Sequence, residues 1–400
     1  MRVLILSHRV PFPPNGGYPI VVYNTIKGLL QLGVNITLFS LNTPRYAIDF
    51  EDVNDPIFKQ IDFHSAQVDV EMNWFSTLFN LFSTEPYHIT RFFDDYANQI
   101  LSNLLKENKY DIIHLEGIFV VSYLDTIKNL SQAKLIYRAH SIEYKVWERL
   151  AIREKFTPRR WYLNYLSRRL ETFETEQINR FHQVFAISEP DRRNMLMMGC
   201  HAPLDVYPVA LDLAKYEIDK PRNDFPTLFY IGAMDWQPNV EGLEWFLDEV
   251  WPDIEKLSAE LRFYVAGKFM PKHFFDYDSE NVIVEGEVFD LNEFMDSKTI
   301  MIVPLLSGSG MRVRIIEGMA MQKCIIATTN AAEGIRYKNG DNLLIADTVD
   351  EFYRAILKCV TQPKLTQVIG ENARKLVEEH HNIESTSKWL YKQYQKLLKR

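Results

Sequence analysis

Pro304-Leu305-Leu306-Ser307-Gly308-Ser309-Gly310-Met311-Arg312-Val313-Arg314-Ile315-Ile316-Glu317-Gly318-Met319-Ala320 is the stretch on which the reading of this chain turns. It follows Ile300-Met301-Ile302-Val303, a short apolar run of strand type. Gly308 and Gly310 give the backbone freedom to turn sharply. From Met311 onward, the apolar residues Val313, Ile316 and Ala320 recur at helical spacing. A strand, a glycine turn and a helix opening aim several backbone N–H groups, and the positive end of the helix dipole, at one point. Such a point favours an anion. Arg312 and Arg314 sharpen the case, because a cation in the first helical turn opposes the dipole unless an anion is bound there. A surface loop with two solvated arginines fits the same residues, and the pattern alone does not choose between them.

Working outward, the chain has 400 residues, more than one core normally spans, so two domains are expected. A net charge of −8 argues against a nucleic-acid binder. Cys200, Cys324 and Cys359 are few, odd in number and far apart, which suggests a reducing compartment and neither a disulfide framework nor a metal site. Met1-Arg2-Val3-Leu4-Ile5-Leu6-Ser7 is too short for a secretory signal and reads as a first strand. No run is apolar enough to cross a bilayer. The expected location is cytoplasmic, with any membrane contact peripheral, at the inner face.

The two ends of the chain repeat one pattern. Residues 3–7 form a continuous apolar strand, followed by a loop with Gly16-Gly17, a helix carrying Val21, Val22, Ile26, Leu29 and Leu30, and a strand over 34–41. This is a βαβ unit, with Gly16 and Gly17 at the carboxyl end of its first strand. Further strands are expected at 111–115, 134–137 and 184–187, and a helix over 94–106. Residues 43–95 are hard to read; within them 74–82 suggests an aromatic-rich helix packed in a core. Residues 144–180 read as a long helical region broken at Pro158, with Arg149, Arg153, Lys155, Arg159, Arg160, Arg168 and Arg169 interleaved with aromatic rings. Acids interrupt that run, so a solvated hairpin is favoured over a surface for anionic lipid. Residues 199–226 are proline-rich and mark the domain boundary. Strands then restart at 227–232, 262–267, 282–284, 300–303, 324–328 and 342–346, and a last helix covers 385–399. The expectation is α/β: residues 1–205 as one doubly wound domain, joined by a returning helix at 385–400, and 206–384 as a second, the two facing a central cleft.

Four segments in this order carry a resemblance: Gly16-Gly17; Arg138-Ala139-His140-Ser141-Ile142-Glu143-Tyr144-Lys145-Val146-Trp147-Glu148-Arg149; Ile231-Gly232-Ala233-Met234-Asp235-Trp236-Gln237-Pro238-Asn239; and the 304–320 turn with Ala332-Glu333-Gly334 after it. Together they resemble the GT-B-fold retaining glycosyltransferases of family four, the large bacterial group that builds cell-surface polysaccharides. The resemblance implies two Rossmann-like domains and transfer of a hexose-type sugar from a nucleotide-diphosphate donor to a glycan or lipid-linked glycan, without a metal or other cofactor. It implies that Glu317 accepts from the ribose hydroxyls. Arg312, Arg314 and the backbone of Ser309, Gly310 and Met311 would hold the diphosphate, with Gly16, Gly17 and Gly232 in the loops around the donor. His140 would meet the sugar near the reacting bond.

The chain departs from that family's pattern twice. The first of the family's paired glutamates falls at Ser309, and no cation follows Gly232, where Asp235 and Asn239 instead become candidates for ordering the loop. Donor binding then rests more heavily on Arg312, Arg314 and Glu317. These departures motivate an alternative, a non-catalytic GT-B protein that binds glycan or a partner enzyme; a nucleotide-sugar epimerase is a third reading. Asp276-Tyr277-Asp278 has the D-x-D spacing of metal-chelating transferases of the other major fold, but it lies before a strand in the second domain and reads as a solvated loop.

Overall fold

The computed structural model describes residues 1–49, 53–71, 86–216, 225–258, 260–308 and 310–400. The expected aromatic helix at 74–82 and Ser309 lie outside the described residues. Two compact units emerge, Met1–Ala210 with Ile383–Arg400, and Leu211–Asn382.

Among the described residues the first unit holds seven strands: β1 (Arg2–Ser7), β2 (Asn35–Asn42), β3 (Asp62–Gln67), β4 (Ile112–Glu116), β5 (Lys134–Arg138), β6 (Gln183–Ala186) and β7 (Leu204–Val206). They pair in parallel in the order β3-β2-β1-β4-β5-β6-β7. Parallel pairing needs crossovers that cover both faces, which is why the inner strands are almost wholly buried. Val3, Leu4, Ile5 and Leu6 of β1 are all fully buried. Val3 and Ile5 pack on one face with Val22, Ile26 and Leu29 of the helix Gly17–Gln31. Leu4 and Leu6 pack on the other, with Leu101, Leu104 and Leu105 of the helix Asp95–Glu107.

The edge strands β3 and β7 were not legible in the sequence. Asp62-Phe63-His64-Ser65-Ala66-Gln67 is mostly polar and only half-buried, and β7 is three residues inside a proline-rich segment. An edge strand is held mainly by its ladder hydrogen bonds, so its composition carries little signal. The 144–180 region is two helices, Glu143–Arg153 and Thr157–Ile178, with the expected break at Pro158, which sits in the first turn of the second helix.

The second unit contains β8 (Thr227–Ile231), β9 (Arg262–Ala266), β10 (Val282–Gly286), β11 (Ile300–Val303), β12 (Cys324–Ala327) and β13 (Leu344–Ile345). Their order is β10-β9-β8-β11-β12-β13, again parallel. The chain is helical from Gln237 to Ile254, with one wider turn over Phe246–Val250. Gly242 lets this helix lie directly on the strand end of β11, since a Cβ there would sit 2.4 Å from the Pro304 carbonyl oxygen. The helices Val313–Ala320 and Pro363–His380 cover further sheet residues.

Each strand order has one place where the chain reverses its direction of progress. In the first unit it lies between β1 and β4, in the second between β8 and β11. Open α/β sheets bind ligands outside the carboxyl ends of strands at such a point.

Candidate functional site

In the first unit the switch point gathers Ser7 at the end of β1 with His8 after it, Glu116 at the end of β4 with Gly117 after it, and His140 two residues beyond β5. Glu116 is fully buried, and its Oε2 accepts from His140 Nε2 at 2.7 Å. Its Oε1 lies 3.7 Å from His114 Nε2 and 3.8 Å from Arg138 Nη1. Tyr18, on the helix behind the Gly16-Gly17 loop, donates to the Glu116 carbonyl at 3.1 Å and shares a 2.8 Å hydrogen bond with Ser7 Oγ. Its ring lies 4.1 Å from that of His8 and 4.6 Å from that of His140, centroid to centroid. Aromatic packing continues from His8 to Phe119, at 4.9 Å.

Burial alone would raise the Glu116 carboxyl, but His114, then Arg138 and the His140 hydrogen bond, hold it down at about 2. Burial pushes His140 below the usual imidazole range, against the opposing pull of Glu116. His8 is pushed down to about 3 by burial, with His140 and Arg9 adding to the effect. At neutral pH the site is therefore one carboxylate among neutral imidazoles, balanced by Arg138. Gly16 is the N-cap of the helix Gly17–Gln31, and its carbonyl accepts from Ile20 N at 3.0 Å. The backbone there is extended, with φ −147°, a conformation open to any residue.

The second unit builds its switch point from the 304–312 turn and the loop after β8. Gly308 has φ +99°, and a Cβ on it would lie 2.6 Å from the Trp236 ring, so both backbone and space demand glycine. Gly310 has φ +90°. Arg312 is the N-cap residue of the helix Val313–Ala320; its Nη1 donates to the Gly310 carbonyl and its guanidinium lies 4.8 Å from the Trp236 ring centroid. Met311 beside it is half-buried. Gly232 is packed under the loop, where a Cβ would meet Tyr230 Oη at 2.5 Å. Asn239 Nδ2 donates to the Ala233 carbonyl at 2.8 Å and so closes the loop that lacks a cation. Ser307 Oγ donates to Glu241 at 3.1 Å.

Glu317 is buried, and both its oxygens are engaged: Tyr216 Oη donates to Oε1 at 2.8 Å, and Arg314 Nη1 lies 2.8 Å from Oε2. The structure thus brings Arg314 to Glu317, one helical turn away, and Arg312 to the glycine turn. Asp278 accepts from Val284 N at 3.2 Å and so secures its own loop. Among the described residues no group of three or more His, Cys, Asp or Glu could hold a metal ion. No helix of the described residues is long and apolar enough to cross a membrane.

Glu116, Tyr216 and Trp236 were missed as site residues. A carboxylate closing the apolar run Ile112-Ile113-His114-Leu115 was a usable signal, since buried acids are rare. Tyr216 gave none, as it lies in the proline-rich stretch 101 positions from Glu317.

Two doubly wound parallel units, each with a glycine-bearing loop at its switch point, define the GT-B class of glycosyltransferases. Residues 15–215 match the family described as Glycosyltransferase Family 4, and residues 225–362 that described as Glycosyl transferases group 1. The chain belongs to the GT-B glycosyltransferase superfamily. It is 19% identical to an uncharacterized 44.6 kDa protein in the cps region of Klebsiella pneumoniae, over 98% of this chain and 99% of that one. Its fold is similar to sucrose-phosphate synthase from Thermosynechococcus elongatus, with TM-score 0.72 and 15% identity over 99% of each chain. It is also similar to Anabaena HepE in complex with UDP-glucose, with TM-score 0.68 and 14% identity over 99% of this chain and 100% of that one.

Proposed function

We propose that this protein is a retaining hexosyltransferase that works without a metal, taking a nucleotide-diphosphate sugar as donor and a glycan or lipid-linked glycan as acceptor. The observation that carries the reading is the buried Glu317, gripped by Tyr216 and Arg314 behind the Gly308–Arg312 turn. Glu317 accepts from the ribose hydroxyls of the donor. Arg312, Arg314, Gly310 and Met311, with the N-terminus of the helix Val313–Ala320, face the diphosphate; Ser309 and Gly232 belong to the same loops. The second unit is the donor side and the first the acceptor side, with Gly16 and Gly17 in its leading loop.

In the reaction the anomeric carbon exchanges its bond to the phosphate oxygen for one to an acceptor hydroxyl oxygen, whose proton leaves with the diphosphate. Negative charge grows on the departing phosphate. Fixed N–H donors and guanidinium groups there stabilise the transition state more than the ground state. His140, neutral at pH 7, takes a hydrogen bond from the donor sugar.

UDP-glucose is the first donor to test, because HepE is known in complex with it. The Klebsiella relative comes from a cps region, which fits a role in surface polysaccharide synthesis. An acceptor on a lipid also fits peripheral contact with the inner membrane face, through the exposed hairpin turn between the helices Glu143–Arg153 and Thr157–Ile178.

Calorimetry with UDP tests the donor site. Glu317→Ala and Arg312→Ala should each weaken binding at least tenfold, and unchanged affinity in both would sink the assignment. Release of UDP from UDP-glucose would exclude the non-catalytic alternative.

A further inference from the structure

Glu116 lies in none of the motifs that brought the other site residues into view. We infer that it is a positioning residue: it holds the imidazole of His140 in the Nε2–H form and leaves Nδ1 as the atom that accepts from substrate. This rests on the reading of His140 as the group that meets the donor sugar.

The geometry admits one assignment of the proton. An ionised carboxylate only accepts, so at 2.7 Å from Glu116 Oε2 the Nε2 atom of His140 must carry hydrogen. A neutral ring then has a bare Nδ1. Among the described residues no protein group hydrogen-bonds that nitrogen, and the His140 side chain is 15% exposed while Glu116 is closed off completely. The ring is thus tied on its buried side and open on the other.

Neither partner is free to turn. Glu116 ends β4, whose neighbours are β1 and β5, and its carbonyl is held by Tyr18. Gly117, at φ +91°, sits under the rings of His8 and His140, both within 4 Å of where its Cβ would be. Tyr18 packs on the His140 ring from the side. A carboxylate retained only to balance Arg138 would be expected to bond it. Instead, Arg138 donates to Thr25 Oγ1 at 3.0 Å and to the Pro208 carbonyl at 2.9 Å and stays 3.8 Å from Glu116 Oε1, while among the described residues the one side-chain hydrogen bond of Glu116 goes to His140. A carboxylate that fixes the tautomer of a working histidine is a recurring arrangement; around metal-ligating histidines its removal typically costs about ten- to a hundredfold, and the same order is expected here.

Nitrogen-15 NMR of the histidine-labelled chain reads the tautomer directly, with the His140→Gln spectrum assigning the signal. The expected result is an Nε2–H ring in the wild type. In Glu116→Gln the ring should populate both tautomers, because a carboxamide can donate as well as accept. The same variant should turn over UDP-glucose with kcat lowered ten- to a hundredfold and UDP affinity unchanged by calorimetry. An Nδ1–H ring in the wild type would overturn the inference even if Glu116→Gln failed to fold, and so would a well-folded Glu116→Gln chain with kcat within twofold of wild type. Unchanged turnover in His140→Ala, with the Nε2–H ring present in the wild type, would instead reject the role given to His140 and leave the hold by Glu116 standing.

Discussion

At the scale of single residues, Glu317 depends on partners that differ in kind. Arg314 supplies a cation and Tyr216 an uncharged hydroxyl, yet both hydrogen bonds end on one carboxylate and are charge-assisted. Such a bond is worth about 1.5–3 kcal/mol. Tyr216→Phe should therefore weaken UDP binding about tenfold, less than Glu317→Ala, which removes the carboxylate itself; isothermal calorimetry separates the two. The buried histidines of the first unit make a second prediction. Burial pushes His8 down to about 3 and His114 down to about 4, the latter despite the upward pull of Glu116. The unfolded chain protonates both near pH 6.5, while the folded chain resists until about 4 and about 3. Stability is thus present above pH 6.5 and lost as the pH falls, at up to about 1.4 kcal/mol per pH unit for each group. Denaturant unfolding between pH 7 and 4 should show this slope, and His114→Asn should flatten it by one proton. Arg312, Glu317 and His140 were legible because they stand in short motifs beside strand ends. Glu116, Tyr216 and Trp236 were not, because their importance comes from groups far away in sequence.

Among the elements, the turn between the helices Glu143–Arg153 and Thr157–Ile178 stands apart. Residues 155–161, Lys155-Phe156-Thr157-Pro158-Arg159-Arg160-Trp161, are all exposed, with Phe156 at 66% and Trp161 at 69%. Of the acids that interrupt this basic run, one is used elsewhere and one stays in the turn. Glu174 is buried and accepts from the backbone N–H groups of Glu143 and Tyr144, and Glu154 pairs with Arg159 at 3.0 Å. An aromatic pair flanked by cations suits the boundary of an anionic bilayer. Sedimentation with phosphatidylglycerol vesicles should show binding that Phe156→Ala with Trp161→Ala reduces at least tenfold. No sedimentation of the wild type would remove the membrane from the proposal. A second feature is steric. Gly242→Ala would drive a methyl group into the Pro304 carbonyl, where backbone cannot yield as a side chain can. The second unit should melt several degrees lower in that variant, by calorimetry or circular dichroism.

For the whole chain, the decisive element is the last helix, Ile383–Leu398, which belongs to the first unit although it follows the second in sequence. Leu390 and Tyr394 are fully buried there, Tyr394 Oη meets His114 Nδ1 at 2.5 Å, and Trp389 stacks on Tyr207. Losing large core side chains costs about 2–5 kcal/mol each, against a total stability of about 5–15 kcal/mol. A chain ending at residue 382 should therefore lose the cooperative melting of its first unit, which thermal unfolding would show. The sequence alone determined the two βα repeats, the glycine turn at 308–310 and the resemblance that places the chain among glycosyltransferases. These are written in local spacing: apolar runs of strand length, helical periodicity and glycines after strands. Tertiary structure decided the edge strands, the place of Glu116 beneath His140 and the grip of Tyr216 on Glu317. Those depend on strand order and on contacts between residues scores of positions apart, which no local pattern of residues encodes.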